Sequence, residues 1–329
     1  MKSLKEQIRD HEIGCLYLFY GEERYLVRLN TERLKKALMS EEDEMMNLDD
    51  LTSPTDFEVL RASIETFPFM TEKRLVIIRD SHMFGGKGVA SLEKLPELME
   101  EIPSTTTVLF IENEVDKRSK MYKAVTQYGQ AEEFKRLDDN ALATWIKREF
   151  KLRNLAIGRN EIQYFLSLTG SDMQRIEAEI HKLSSYMGER GVIEKKDIEA
   201  IVTPSVEASV FRMTDALGEG HTKEAYQIYL DLVKQGEVLQ RILFMIIRQF
   251  RILYKASLME NADPVTLSKE LGIPSFAVAK TRRQASRFGR KRLEMILERL
   301  LEMDSRIKIG EITDAEAMDL ILMRDAALT

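Results

Sequence analysis

The sequence predicts an α/β front followed by an all-α remainder, on three observations. Apolar runs of strand length recur through the first ~137 residues, helical patterns lie between them, and no strand-like run follows Leu137. The runs are Leu16-Tyr17-Leu18-Phe19-Tyr20, Leu75-Val76-Ile77-Ile78, Thr107-Val108-Leu109-Phe110-Ile111 and a weaker one at Ala131-Glu132-Glu133-Phe134. Helical spacing covers residues 25–38, 57–64 and 89–99, the last interrupted by Pro96. Buried strands alternating with helices predict a parallel sheet with helices on both faces.

After Leu137, Asp138-Asp139-Asn140 begins a helix over 141–152, and a second over 161–168 is stopped by Gly170. A third runs from the cap Ser171-Asp172 to Met187, before Gly188, and a short fourth over 194–202 ends before Pro204. From Ser205 the helices lengthen. The best, over 237–259, has Leu239, Ile242, Leu243, Ile246, Ile247, Phe250 and Leu253 on one stripe and Arg241, Arg248, Arg251 and Lys255 opposite. Asp263-Pro264 and Ile273-Pro274 punctuate two shorter helices, and further ones fit 291–303 and 313–326.

The 329 residues suffice for two to three domains of about 100–200 residues. With 44% hydrophobic and 32% charged residues the chain is no disordered polymer. Its longest apolar run, Ile242-Leu243-Phe244-Met245-Ile246-Ile247, is far shorter than the roughly 20 residues of a membrane span. Charged residues interrupt everything before Cys15, so no secretion-signal core is expected, and a lone cysteine excludes an internal disulfide. A soluble, cytoplasmic chain is expected. Of 49 basic and 55 acidic residues, 19 and 18 fall in 204–329, leaving 30 and 37 for an acidic first 203. Bulk electrostatics therefore disfavour a nucleic-acid grip, and any such contact is expected to be local.

An apolar strand, a glycine and a helix invite a nucleotide-binding reading, which the residues then withhold. A phosphate loop needs GxxxxGK[ST]. Here Gly21-Glu22-Glu23-Arg24 offers one glycine and two carboxylates that repel phosphate, and Gly86-Lys87 is followed by Gly88, the mark of a loop. Asp80 ends a Walker-B-like strand with no glutamate after it, so no hydrolytic base is supplied. His11, His82, His181 and His221 are scattered without cysteine pairs, which makes zinc improbable. Asp80 with His82 is a weak acid–base pair, and neither a nucleophile elbow nor a dinucleotide glycine fingerprint occurs. No catalytic, cofactor or metal residues are therefore expected.

Two local features stand out. In Phe67-Pro68-Phe69-Met70, Pro68 disfavours helical geometry at Phe67, which puts two aromatics and a methionine on a turn after the 57–64 helix. Such residues either form a binding surface or fold back under the sheet. The second feature, residues 280–292, holds Lys280, Arg282, Arg283, Arg287, Arg290, Lys291 and Arg292 without an acid. It fits either phosphate contact or a solvated, ion-paired face.

Ordered segments across nearly the whole chain resemble the delta subunit of the bacterial DNA polymerase III clamp loader. They are Leu18-Phe19-Tyr20-Gly21-Glu22-Glu23, Thr66-Phe67-Pro68-Phe69-Met70 leading into Lys73-Arg74-Leu75-Val76-Ile77-Ile78, and Asp116-Lys117-Arg118-Ser119-Lys120-Met121-Tyr122. Glu179-Ile180-His181-Lys182-Leu183-Ser184-Ser185-Tyr186, Val210-Phe211, Arg248-Gln249-Phe250-Arg251 and Asp304 with Ile307-Lys308 follow. The resemblance implies an AAA+-like α/β domain (1–137) with a degenerate nucleotide site, a small helical lid (138–204) and a helical collar (205–329). It also implies a noncatalytic subunit of the polymerase III holoenzyme that binds the sliding clamp and opens the ring for loading onto primed DNA. Family members do not bind ATP, which their partner subunits hold, and they lack the partners' Ser-Arg-Cys finger. Here Arg118 is followed by Ser119 and Lys120. Implied partners are the clamp, the clamp-loader ATPase subunits and a delta-prime-like subunit met through the collar, and primer–template DNA, with no membrane. The implied clamp-binding residues are Phe67, Phe69, Met70, Leu60 and Ile64. A working NTPase with an atypical phosphate loop and a basic helical DNA-binding protein remain alternatives.

Overall fold

The computed structural model describes residues 4–52, 56–85, 92–188 and 190–324. The predicted loop at Gly86-Lys87-Gly88, the start of the 89–99 helix and the end of the 313–326 helix lie outside them. The chain forms two compact units, 1–137 and 138–329.

The first unit is a five-stranded parallel sheet of β1 (Leu16–Tyr20), β2 (Leu48–Thr52), β3 (Arg74–Arg79), β4 (Thr106–Glu112) and β5 (Gln130–Glu133), in the order β2-β3-β4-β1-β5. The predicted apolar runs are β1, β3, β4 and β5. In the central strands alternate side chains enter opposite layers. Leu16, Leu18, Val76, Ile78, Val108 and Phe110 pack on one face with Leu60 and Ile64 of α4 (Phe57–Glu65), Leu95 and Leu98 of α5 (Leu95–Leu98), and Met121 and Val125 of α6 (Lys120–Tyr128). Tyr17, Phe19, Leu75, Ile77, Leu109 and Ile111 pack on the other with Leu4 of α1 (Leu4–Asp10) and Val27 and Leu34 of α2 (Arg24–Leu38). Burial on both faces explains the unbroken apolar runs. The strand order also places the helices. Connections β2→β3→β4→β5 advance in one direction and β1→β2 returns in the other, so right-handed crossovers put α4–α6 on one face and α2 on the opposite one.

Strand β2 and the four-residue α3 (Glu44–Asn47) before it were not anticipated. The strand reads Leu-Asp-Asp-Leu-Thr, a half-buried edge whose Asp49 and Asp50 pair with Arg74 and Arg79 of β3 at 2.5 and 2.7 Å. Charge pairing across the ladder replaces the missing apolar alternation.

The second unit opens with α7 (Asp139–Lys151), α8 (Arg159–Thr169), α9 (Met173–Met187) and α10 (Lys195–Ile201). Asp138 and Asp172 cap α7 and α9 by accepting from the Ala141 and Arg175 N–H groups at 2.8 Å each. Two-residue strands β6 (Ala156–Ile157) and β7 (Val192–Ile193) pair in parallel among them, a correction to the expectation of helices alone. Then follow α11 (Val206–Gly218), α12 (Thr222–Lys234), α13 (Leu239–Leu258), α14 (Pro264–Leu271), α15 (Ser275–Phe288), α16 (Arg290–Lys308), α17 (Asp314–Asp319) and a π-helical turn (Leu320–Arg324). Their shared core centres on the fully buried Phe250, Leu253, Leu293 and Leu300. Among the described residues no helix is long and apolar enough to cross a membrane.

Candidate functional site

Helix α4 ends at Glu65, where Thr66 turns extended and its N–H still donates to the Ala62 carbonyl. The chain then runs through Phe67-Pro68-Phe69-Met70 to β3. Thr106 at the start of β4 donates its hydroxyl to the Ile64 carbonyl at 2.9 Å, which ties the last turn of α4 to the sheet. Phe67, Phe69 and Met70 all face solvent, exposed by 81, 55 and 89%. Met70 adopts φ +57°, a sparsely populated conformation for a bulky side chain, as sites under functional demand often show.

A buried asparagine braces this turn. Asn47 accepts from the Phe69 N–H at 2.6 Å and donates to the Phe69 carbonyl at 3.0 Å, satisfying both backbone groups. Its helix α3 also places Met45 and Met46 in the open beside the turn, and Val59 is exposed on α4. The sequence offered one usable signal for the methionines, an apolar pair set among acids.

Leu60 and Ile64 are corrected. Both are fully buried in the core beneath the sheet and cannot touch a partner. With half-buried Phe57 they form the i, i+3, i+7 stripe by which α4 docks on its own domain.

The opposite, carboxyl-terminal end of the sheet holds the crevice where α/β proteins bind ligands. Here its polar groups are turned on one another. The Glu23 and Arg24 N–H groups donate to the Phe134 and Glu22 carbonyls at 3.0 Å each, and the Arg24 guanidinium donates to the Glu112 carbonyl at 3.3 Å. Gly21 has φ +124°, and a Cβ there would lie 2.4 Å from the Phe134 carbonyl oxygen. Glu112 accepts from the Ser81 N–H and hydroxyl at 2.8 and 2.5 Å, and burial pushes its carboxyl above the usual range despite those bonds. Asp80 accepts from the Asn113 amide at 2.9 Å, and His82 stands exposed. Burial lifts the Tyr20 phenol at the end of β1 to about 12. Arg118, next to the sequence's departure from a finger motif, forms a two-point pair with Asp116 at 3.0 Å, holding that carboxyl down at about 2. No group of three His, Cys, Asp or Glu residues able to hold a metal occurs among the described residues.

The basic segment 280–292 divides between two helices. Arg287 on α15 pairs with Asp215 and Glu219 of α11 at 2.7 Å each, Arg282 donates to the Ala262 carbonyl, and Arg292 lies over the Phe288 ring. These three serve the domain's own packing. Lys280, Arg283, Arg290 and Lys291 are exposed.

The family model for the DNA polymerase III delta subunit matches residues 17–135, and the one for that subunit's C-terminal domain matches 207–324. DNA polymerase III subunit delta of Bacillus subtilis is 28% identical over 337 aligned residues, covering 98% of this chain and 95% of its own. A probable DNA polymerase III subunit delta of Aquifex aeolicus is 21% identical over 67% of this chain and 64% of its own. The solved structure of the Bacillus subtilis DNA clamp loader delta protein (YqeN) superposes with a TM-score of 0.72 at 25% identity, covering 99% of this chain and 98% of that one. With both units matched by one family and a relative sharing the fold over nearly its full length, the chain belongs to the DNA polymerase III delta subunit family, the clamp-loader delta subunits of DNA replication.

Proposed function

We propose that this chain binds a ring-shaped sliding clamp through the Phe67–Phe69–Met70 turn and helps to open it, without holding ATP itself. The observation that carries the reading is the braced exposure of those three side chains. A large apolar residue fully buried from water contributes about 1.5–3 kcal/mol, so three anchors entering one hydrophobic pocket give a useful affinity. Met45 and Met46, flexible and polarisable, widen the contact. Leu60 and Ile64 act behind it by holding α4 to the sheet. Binding that is stronger to the open ring than to the closed one shifts the clamp toward opening by that difference alone.

The turn precedes β3, at the amino ends of the parallel strands, whereas the nucleotide crevice lies at their carboxyl ends. Two glutamates and inward-bonded N–H groups there support the reading that ATP is held by partner ATPase subunits. Residues 138–204 and 205–329 act in this scheme as lid and collar, the collar joining the other subunits and a delta-prime-like one. Primer–template DNA then meets the exposed Lys280, Arg283, Arg290 and Lys291 within the assembly.

The test is binding of the purified chain to its sliding clamp. Phe69→Ala with Met70→Ala should weaken it by about tenfold or more, one decade per 1.4 kcal/mol, with little change in melting temperature. A large loss of stability with unaltered clamp binding refutes the reading. A nucleotide titration that finds ATP bound by the isolated chain refutes the ATP-free part.

A further inference from the structure

The methionines of this chain divide sharply between core and surface. Ten are buried, none more than 8% exposed, as suits a flexible side chain that fills irregular gaps. Among the described residues four are exposed, and three of those, Met45, Met46 and Met70, stand on the Phe67–Met70 turn and on α3 beside it. Met45 and Met70 are the two most exposed large apolar side chains among the described residues. Asn47 fixes α3 to the turn through both backbone groups of Phe69, so the three thioethers belong to one surface. The fourth, Met295 on α16, lies in the other unit.

We propose, resting on the clamp reading of this turn, that Met45, Met46 and Met70 form a reversible oxidation site, at which a peroxide converts thioether to sulfoxide and so releases the surface from its clamp. A thioether that meets solvent is open to this oxidation, whereas one packed in a core is screened. The sulfur lone pair attacks one peroxide oxygen, an S–O bond forms and the O–O bond breaks. The leaving hydroxide takes the proton from the transferred oxygen and departs as water, so the sulfur loses two electrons and the peroxide gains them. The reverse step draws on two thiols through methionine sulfoxide reductases: the thiols become a disulfide and the oxygen leaves as water. Hydrogen peroxide is uncharged, so Glu41, Glu42, Asp43 and Glu44, just before Met45, do not hold it off. A sulfoxide oxygen taken into an apolar pocket without a donor carries the penalty of an unpaired polar group. The fold is spared, because none of the three side chains is packed in the core.

The test treats the full-length chain with hydrogen peroxide, removes the peroxide, maps the added oxygen by peptide mass spectrometry and measures binding to immobilised sliding clamp. Sulfoxide should appear at Met45, Met46, Met70 and Met295 well before the buried ten. Clamp affinity should fall about tenfold or more at unchanged melting temperature, as loss of one buried anchor implies. Methionine sulfoxide reductases A and B with a dithiol should restore it in step with the loss of sulfoxide from the turn. The Met45→Leu, Met46→Leu, Met70→Leu triple variant should keep its own untreated affinity through the treatment, whereas Met295→Leu should lose affinity as wild type does. Cys15 is present in every variant, so damage through its thiol would show in the triple variant as well. Where the triple variant binds too weakly to follow, restoration of the wild type by the reductases decides. The proposal is overturned if the turn methionines resist peroxide while Met295 oxidises, or if the oxidised chain binds within about twofold of the untreated one. It is equally overturned if the triple variant is as sensitive as wild type, or if the reductases clear the sulfoxides without restoring affinity. Those outcomes leave the clamp reading standing, whereas an untreated chain that binds no clamp overturns that reading and this proposal with it.

Discussion

Replacing Asn47 by alanine separates the anchors of the turn from what holds them. Asn47 is 1% exposed, bonds both backbone groups of Phe69, and donates to the Asp43 carbonyl at 3.2 Å. The two bonds to the turn are worth about 1 kcal/mol each. Phe69 is more than half exposed, so water can reach the freed groups and the full penalty of buried unpaired polar atoms does not apply. About 2 kcal/mol thus leaves the ordered form of the turn, which lowers its equilibrium with open forms by roughly thirtyfold. The apparent clamp Kd should rise by up to that factor, though no anchoring side chain has changed. Asn47→Asp keeps an acceptor for the Phe69 N–H but sets a carboxylate against two carbonyls, so it should be at least as damaging. Surface plasmon resonance on immobilised clamp reads the affinity, and urea unfolding reads the stability. An alanine variant that loses stability while its Kd stays put would refute the role of the brace in presenting Phe69.

Gly21→Ala should destabilise the first unit by more than about 2 kcal/mol, since a positive φ costs an L-residue roughly 1–2 kcal/mol and the new Cβ overlaps a backbone oxygen, seen as a lower urea midpoint at constant m. Glu112→Gln should reveal a pH-dependent difference. Burial raises the folded-state pKa of Glu112, so its contribution is full below the unfolded value and lost as pH rises through the folded one. Wild type should therefore lose stability relative to the non-titrating glutamine variant as pH rises above about 4, the ordinary glutamate range, and a constant difference would count against burial as the cause. Arg287→Ala should cost about 1 kcal/mol or less, because its two carboxylate partners are themselves well exposed, seen as a small drop in the urea midpoint.

The parts of the fold that were legible in the sequence are those held by local pattern. Strands β1, β3 and β4 announced themselves because both faces of a central parallel strand are apolar, and α7, α9 and α13 by their caps and stripes. Strand β2 did not, because its ladder is secured by Asp49 and Asp50 meeting arginines some 25 residues away, a pairing visible only once β3 lies beside it. The turn was half legible. Pro68 ended α4 on sequence grounds, but whether Phe67 and Phe69 pointed out or in depended on Asn47, 22 residues earlier. Leu60 and Ile64 were legible as core residues, since their spacing with Phe57 is that of an inward stripe. The basic segment shows the opposite limit. A run of like charge in sequence is broken in space by Gly289, whose φ of +72° separates α15 from α16, and by acids that α11 brings to Arg287.

On the proposed function, the two ends of the parallel sheet explain how the scaffold can bind a clamp at one end without holding nucleotide at the other. At the carboxyl ends, a phosphate site would need free N–H groups after β1 and space above Gly21. Here β5 runs on into Phe134, whose N–H and carbonyl bond Tyr20 and Glu23 at 2.7 and 3.0 Å and fill that space with backbone. Such bonds stabilise the edge of the sheet, so closing the crevice strengthens the domain. At the amino ends, the α4–β3 connection and α3 carry exposed side chains outside the core, while Leu60, Ile64, half-buried Phe57 and the Thr106 hydroxyl secure the helix beneath them. The ends stand about a strand length apart, roughly 17–20 Å, and among the described residues their named groups share no polar contact, so changes at one should leave the energetics of the other nearly untouched. Under the proposed function the subunit is driven by nucleotide bound elsewhere and needs that independence: its binding surface is then rigidly built into its own sheet, and control comes from partners that cover or uncover it.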